Sequence, residues 1–382
     1  MTTTQEREAL GRTAAEFTRR EVVPHLEEWE EAGEVPRSLH RTAGELGLLG
    51  VGFAEDVGGA GDLLDSVAVQ EAMFAAGASS GLMAALFTCG IALPHIAASG
   101  DADLVDRFVR PTLAGELIGS LAITEPGGGS DVGAITTRAV RDGDHYVVDG
   151  AKTFITSGAR ADFVTAAVRT GPVPYEGSGH GGISLLVIER GTPGFTVDRR
   201  LRKMGWHCSD TAELAFDGCR VPVANLVGEE GSGFARIADQ FVVERIALAV
   251  HGYGIAARSL ELAAAYAHER TTFGRPLVAN QAVQHLLVEM RRQVEVARTY
   301  TRSVAEQHAA GGFVVAEACL AKQTAVDCAA FVCDRAVQLF GGTGYLHGTE
   351  VERHYRDARI LPIGGGADEV LRDLTAKLMG YA

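Results

Sequence analysis

The hydrophobic period of this chain changes twice, and that constrains its fold more than any other feature. Apolar residues every three to four positions suit a helix and strict alternation suits a strand, so a segment built for one cannot serve as the other. Residues 1 to about 118 carry the helical period, clearest in Arg7–Val22, Arg37–Leu46, Ser66–Ala76 and Asp103–Leu113, with Gly-rich breaks between. From about 119 to 228 it gives way to short β-type runs: Ile118–Thr124, His145–Val148, Thr153–Thr156, Phe163–Val168, Ile183–Glu189 and Ala212–Phe216. Asp142-Gly143 and Asp149-Gly150 separate some of them, and both are hairpin-turn dipeptides. Long helical segments then return at Gly233–Glu269, Gln281–His308, Val314–Phe340 and Asp368–Met379. This order predicts an α+β multidomain protein. Its parts are an N-terminal α-helical domain (1–118), a central β-barrel-like or sandwich domain (119–228), and a C-terminal antiparallel four-helix bundle (229–382).

A net charge of −14 disfavours nucleic acid and anionic membrane surfaces as partners. The six cysteines form no CxxC pair, which points to a reducing, cytoplasmic setting without a structural metal. No uncharged apolar run is long enough to span a bilayer, so no membrane insertion is expected. The charged, helical N-terminal segment from Gln5 to Arg20 does not read as a secretory signal.

Glu244 stands out within Gln240-Phe241-Val242-Val243-Glu244-Arg245-Ile246-Ala247-Leu248. A surface Glu on a helix usually has a cation three or four residues away, but here those positions hold Gln240, Phe241, Ala247 and Leu248. A carboxylate on an apolar helix is costly, and desolvation raises its pKa into the range useful for a general base. A core ion pair with a distant Arg, or an exposed helix face, would explain the same pattern.

Five strings carry further chemistry. Ile123-Thr124-Glu125-Pro126-Gly127-Gly128-Gly129-Ser130-Asp131-Val132 follows a strand and offers close backbone approach with two hydroxyls, or is a wide loop. It lacks the βαβ context of a dinucleotide fingerprint. Lys152-Thr153-Phe154-Ile155-Thr156-Ser157-Gly158 puts Phe154 and Thr156 at alternate positions, able to cover a flat ring or to fill a β-core. Glu269-Arg270-Thr271-Thr272-Phe273-Gly274-Arg275-Pro276, then Asn280-Gln281, ends a helix on an Arg that could hold pyrophosphate or offset the helix dipole. Gln338-Leu339-Phe340-Gly341-Gly342-Thr343-Gly344-Tyr345 ends a helix with more glycine than a cap needs. Arg356-Asp357-Ala358-Arg359-Ile360-Leu361-Pro362-Ile363-Gly364-Gly365-Gly366-Ala367-Asp368-Glu369 leads three glycines into a last helix, as an oxygen-binding turn or a flexible, Asp-capped link.

In this order, these strings resemble the acyl-CoA dehydrogenase family. Lys203-Met204-Gly205-Trp206, Ser209–Leu214, Val221-Pro222 and Leu226–Glu229 resemble it too. The resemblance implies FAD bound without a Rossmann motif, an acyl-CoA substrate, an electron-transferring flavoprotein as acceptor, and a homotetramer built as a dimer of dimers. It assigns Ile123, Thr124, Gly129 and Ser130 to the flavin and thioester loop, and Phe154 and Thr156 to the strand covering the ring. It assigns Arg270, Thr272, Phe273 and Gln281 to the adenine and pyrophosphate half. Gln338, Gly341 and Gly342 fall in the stretch given by a neighbouring subunit, and Glu369 joins the cofactor contacts. Ser130, Val242, Arg245, Gly365 and Gly366 are assigned to substrate, with Arg245 orienting the loop or the CoA side.

The implied reaction takes two hydrogens from the α and β carbons of the thioester, giving the trans-2-enoyl product. Base, Cα–Cβ bond and flavin must be held in line, with donors where charge develops on the thioester oxygen. Many members carry the base in the last loop, where this chain has Gly365. In the subgroup resembling long-chain and isovaleryl-CoA dehydrogenases it lies on the central helix, where Glu244-Arg245 falls. Ala367 replaces a commonly present Thr that contacts FAD. His180-Gly181-Gly182-Ile183-Ser184-Leu185 and Asp210–Glu213 lean towards the long-chain type. Small residues at Ala75, Ala76, Gly77, Ala78 and Gly81 suggest a roomy tail pocket or plain helix packing. An oxygen-using oxidase or flavin monooxygenase, or a non-catalytic flavoprotein of the same fold, stays open as an alternative.

Overall fold

The computed structural model describes residues 2–172 and 181–382; the string beginning at His180 therefore falls partly outside the described residues. The N-terminal part packs α1 (Thr4–Phe17), α2 (Arg37–Glu45), α3 (Leu63–Ala75) and α4 (Ser80–Leu86) around one core. Thr3 caps α1 and Asp62 caps α3, each in a reciprocal capping box. The expected helices Arg7–Val22 and Asp103–Leu113 are not continuous. Each widens into a π-type turn, Thr18–Val22 and Val105–Val109, just ahead of Pro24 and Pro111. Proline cannot donate to the preceding turn, so the ladder is re-spaced there.

The middle part is a curled sheet of β1 (Gly119–Ala122), β2 (Arg138–Asp142), β3 (His145–Thr156), β4 (Phe163–Arg169), β5 (Ile183–Glu189), β6 (Phe195–Arg200) and β7 (Thr211–Pro222). Its path runs β1-β4-β2-β3-β7-β6, with β5 on the other edge of β4. β4 is buried on both faces, with Val164, Ala166 and Val168 in the sheet core and Phe163 and Ala167 against the helices. Asp142-Gly143 makes the expected hairpin turn between β2 and β3. Asp149-Gly150 does not. It lies inside β3 as a bulge, with Gly150 at φ +148° and its missing Cβ only 2.7 Å from Thr137 Cα. β2 and β6 escaped the sequence reading because charged residues interrupt their alternation.

The C-terminal part holds α5 (Gly233–Glu269), α6 (Gln281–Ala309), α7 (Val315–Phe340), α8 (Glu350–Ala358) and α9 (Asp368–Leu378). α5 and α7 run in the same direction, with α6 opposed. Gly252 abuts Ala325, Ser259 meets Cys333 and Tyr266 stacks on Phe340. On its other side α5 meets α3, where a Cβ on Gly254 would stand 2.4 Å from the Phe74 ring. Bare backbone at two turns of α5 thus lets it sit between both neighbours. Among the described residues no helix is long and apolar enough to cross a membrane.

Candidate active site

Glu244 is half-buried on α5. Burial raises its carboxyl above the usual range, opposed by the positive charges of Arg245 and Lys322. Opposite it lies the loop before α9, where Gly365 has φ +63°. A Cβ on Gly365 would stand 3.3 Å from Glu244 Oε1 and 2.2 Å from Leu248 Cδ1. Helix and loop therefore address the same small volume. Gly366, at φ +97°, continues the loop.

Two buried cations flank this point. Arg245 is 7% exposed and lies 5.3 Å from the centre of the Phe241 ring, and its Nε has no hydrogen-bond partner among the described residues. Lys322 on α7 is fully buried, and its Nζ donates to Gly364 O and Gly366 O at 2.6 Å each. Burial pulls this ammonium down to about 8, against the pull of Asp368 and Glu244. Lys322 was missed in the sequence, although the spacing argument used for Glu244 applies. Its neighbours at three and four residues are Ala318, Cys319, Ala325 and Val326. Val242 is buried one turn before Ile246, and Glu369 is exposed at the start of α9.

A second group gathers where β1 leaves the sheet. Thr124 Oγ1 donates to Thr153 O, and Thr153 N donates to Thr124 O at 2.9 Å. Lys152 is buried and donates to Ile123 O at 3.0 Å and to Glu125 at 2.8 Å. Burial alone would raise Glu125, but Lys152 and the Thr136 and Thr137 donors hold it at about 2. This buried pair ties the Ile123–Thr124 turn to β3. The β3 register shifts between Lys152 and Ile155, and Phe154 sits in that bulge at φ +59° with 69% of its surface exposed. A large aromatic held outward on strained backbone is a functional-site signal. Thr156 is half-buried two residues on, while Gly129 and Ser130 are exposed.

A third group lies at the far end of the bundle. Arg270 ends α5, and residues Thr271–Thr272 and Arg275–Pro276 form a short hairpin with Phe273 fully exposed at its tip, φ +49°. Gln281 opens α6 close by. Tyr266 and Phe340 stack with centroids 4.2 Å apart, which brings Gln338, Gly341 and Gly342 to the same end. Arg270 follows the last residue of α5, 26 positions beyond Glu244 and about 39 Å along the helix. Within one chain these residues do not meet the Glu244 group.

The small residues suggested for a tail pocket are divided between surface and interior. Ala75 is exposed, and a Cβ on Gly81 would meet Trp206 Cα at 2.8 Å. The smallness of Gly81 is taken up by that backbone. Asp357 holds this contact, accepting from Gly81 N at 3.0 Å and Trp206 N at 2.6 Å. One buried carboxylate on α8 thereby joins α4 to the loop between β6 and β7.

This layout has close relatives. The N-terminal, middle and C-terminal domain models of acyl-CoA dehydrogenase match residues 4–116, 120–219 and 231–380. An acyl-CoA dehydrogenase of Bacillus subtilis (strain 168) is 36% identical over 380 residues, 99% of each chain. The mitochondrial long-chain specific acyl-CoA dehydrogenase of Rattus norvegicus is 36% identical over 97% of this chain and 86% of its own. The crystal structure of a candidate acyl-CoA dehydrogenase from Mycobacterium smegmatis is 58% identical, with TM-score 0.96, covering 100% of this chain and 99% of that one. These matches define an oxidoreductase from a family of FAD-binding flavoproteins. The chain belongs to the acyl-CoA dehydrogenase family.

Proposed function

We propose that the protein is an FAD-dependent dehydrogenase that converts an acyl-CoA thioester to its trans-2-enoyl-CoA, with Glu244 as the base. One observation carries the base assignment: the Gly365 position points at the Glu244 carboxylate from 3.3 Å. Loop and helix are alternative places to mount a base for the same proton, and this chain has its carboxylate on the helix. Desolvation raises Glu244 towards the affinity a weak carbon acid requires.

The residues present fit the flavin. Phe154 offers an exposed ring on a strained bulge beside the Thr124 and Thr156 hydroxyls, a surface suited to a flat heterocycle. Ile123, Gly129, Ser130 and Glu369 are assigned to the same cofactor by the family resemblance. Bound FAD supplies the acceptor for the β hydride. Glu244 takes the α proton, and the Gly365 and Gly366 amides are available to the thioester oxygen as its charge grows. Ser130, Val242 and Arg245 shape the surrounding wall.

Arg270, Thr272, Phe273, Gln281, Gln338, Gly341 and Gly342 serve the dinucleotide's other half, but about 39 Å of helix is more than one dinucleotide spans. They therefore act on the cofactor of a second chain, in keeping with a homotetramer formed as a dimer of dimers. Three domains at 1–118, 119–228 and 229–382, a cytoplasmic setting and an electron-transferring flavoprotein as acceptor complete the reading. Anaerobic mixing with a panel of straight and branched acyl-CoAs tests it. The wild type is expected to lose its flavin absorbance, while Glu244→Gln stays yellow and unreduced. Near-normal reduction of that variant would overturn the base assignment. Rapid reoxidation of the reduced protein by air would make it an oxidase instead.

A further inference from the structure

The loop Ile363-Gly364-Gly365-Gly366 contains three consecutive glycines. Peptides flanked by glycine flip with little steric resistance, so such a loop has no strong conformation of its own. Yet here Gly365 and Gly366 hold positive φ angles beside a carboxylate. Something outside the loop fixes them. The side chain in contact with both flanking carbonyls is Lys322, whose Nζ lies 2.6 Å from Gly364 O and 2.6 Å from Gly366 O.

A fully buried lysine needs a reason. Among the described residues Lys322 makes no ion pair, and its hydrogen bonds go to those backbone oxygens. Burying an ammonium on two neutral carbonyls costs more than burying a methionine of similar shape, so packing alone would favour the apolar residue. In a trans peptide the carbonyl and the next N–H point to opposite sides. With Gly364 O drawn towards α7, the Gly365 N–H is turned away from it. A charged donor also polarises the peptide it binds, which makes that N–H a better donor.

We propose that Lys322 is a positioning residue for the thioester oxygen: by gripping the carbonyls on both sides of Gly365 it fixes and polarises the Gly365 amide that stabilises the developing negative charge. This rests on the acyl-CoA reading above. Lys322 contacts the loop backbone and acts through it. Charge on the thioester oxygen appears only on the way to the transition state, so loss of the grip should slow reduction without weakening ground-state binding.

The groups facing Lys322 are Glu244 and Arg245 from α5, Cys319 from its own helix and Asp368 from α9. Burial holds Glu244 above the usual carboxylate range and Cys319 above the usual thiol range, while Lys322 itself is drawn down to about 8. The rate of flavin reduction should therefore rise as Glu244 deprotonates and fall as Lys322 loses its proton.

The test compares wild type, Lys322→Met and Lys322→Arg by stopped-flow anaerobic reduction across pH, with FAD content and product binding measured alongside. Lys322→Met should retain FAD and bind enoyl-CoA as the wild type does, yet reduce its flavin on the order of 100-fold more slowly. Lys322→Arg should recover part of that rate and lose the fall near pH 8, because a guanidinium stays protonated. If Lys322→Met does not fold, the pH profile of Lys322→Arg decides alone. Equal rates in Lys322→Met and wild type, or an unchanged descending limb in Lys322→Arg, overturn the proposal. A wild type that no acyl-CoA reduces would overturn the acyl-CoA reading instead, a separate outcome.

Discussion

Glu244 on the longest helix and Gly365 in the final loop face each other so closely that a single added carbon on Gly365 would lie 3.3 Å from the Glu244 carboxylate. Positions far apart in the chain thus converge on one small volume, and the loop carries no side chain there. The helix supplies charge and the loop supplies backbone.

Gly365 should resist replacement. At φ +63° any L side chain costs about 1–2 kcal/mol, before the contact with Leu248 Cδ1 is counted. Gly365→Ala is expected to lose at least that much in urea unfolding. Gly365→Glu should restore flavin bleaching to Glu244→Gln only when Leu248→Ala opens the space; equal bleaching with Leu248 intact would show that the steric argument is wrong.

The charge on Glu244 should destabilise the fold. Its pKa is higher folded than unfolded, so the folded state binds the proton more tightly. Stability is then greatest below the unfolded carboxyl pKa and declines as pH rises through the folded one. At pH 8 Glu244→Gln should melt above the wild type, with the gap closing towards pH 4. A variant that melts below the wild type at pH 8 would contradict the burial of this charge.

Asp357 should matter more to stability than to chemistry. Asp357→Ala leaves the buried Gly81 amide and the half-buried Trp206 amide without their acceptor, at about 1–3 kcal/mol for the buried one. We expect a loss of about 2 kcal/mol or more by denaturant titration. The intrinsic rate of flavin reduction in the fraction still folded should stay close to wild type.

Phe273 should affect cofactor retention rather than folding. It is fully exposed, so Phe273→Ala removes no core contact. The variant should melt like the wild-type apoprotein yet hold less FAD, read from the flavin-to-protein absorbance ratio. In the wild type that ratio should fall on dilution in step with dissociation seen by light scattering. FAD content independent of both would argue against a shared site.

Much of this was legible in the sequence because it depends on local pattern. The long helices announce themselves by period, and Glu244 by the absence of a cation three or four residues away. The same rule applied to Lys322 would have found that buried charge as well. What stayed hidden depends on neighbours. Asp149-Gly150 has turn chemistry, yet its flanking residues pair with β7 and keep the strand going as a bulge. Gly81 suggested empty space, but the Trp206 backbone fills it, a contact between segments that no local window reveals. The π-type turns before Pro24 and Pro111 follow from a known rule of proline, but their effect on a continuous helical pattern was not anticipated.

The Asp357 contact has a bearing on how far the parts of the fold can move. A carboxylate that pins a helix near the C-terminus to both an N-terminal helix and a sheet loop leaves those three units little liberty to swing apart. Movement at this junction is then confined to short side-chain shifts, and the three segments keep their places relative to one another.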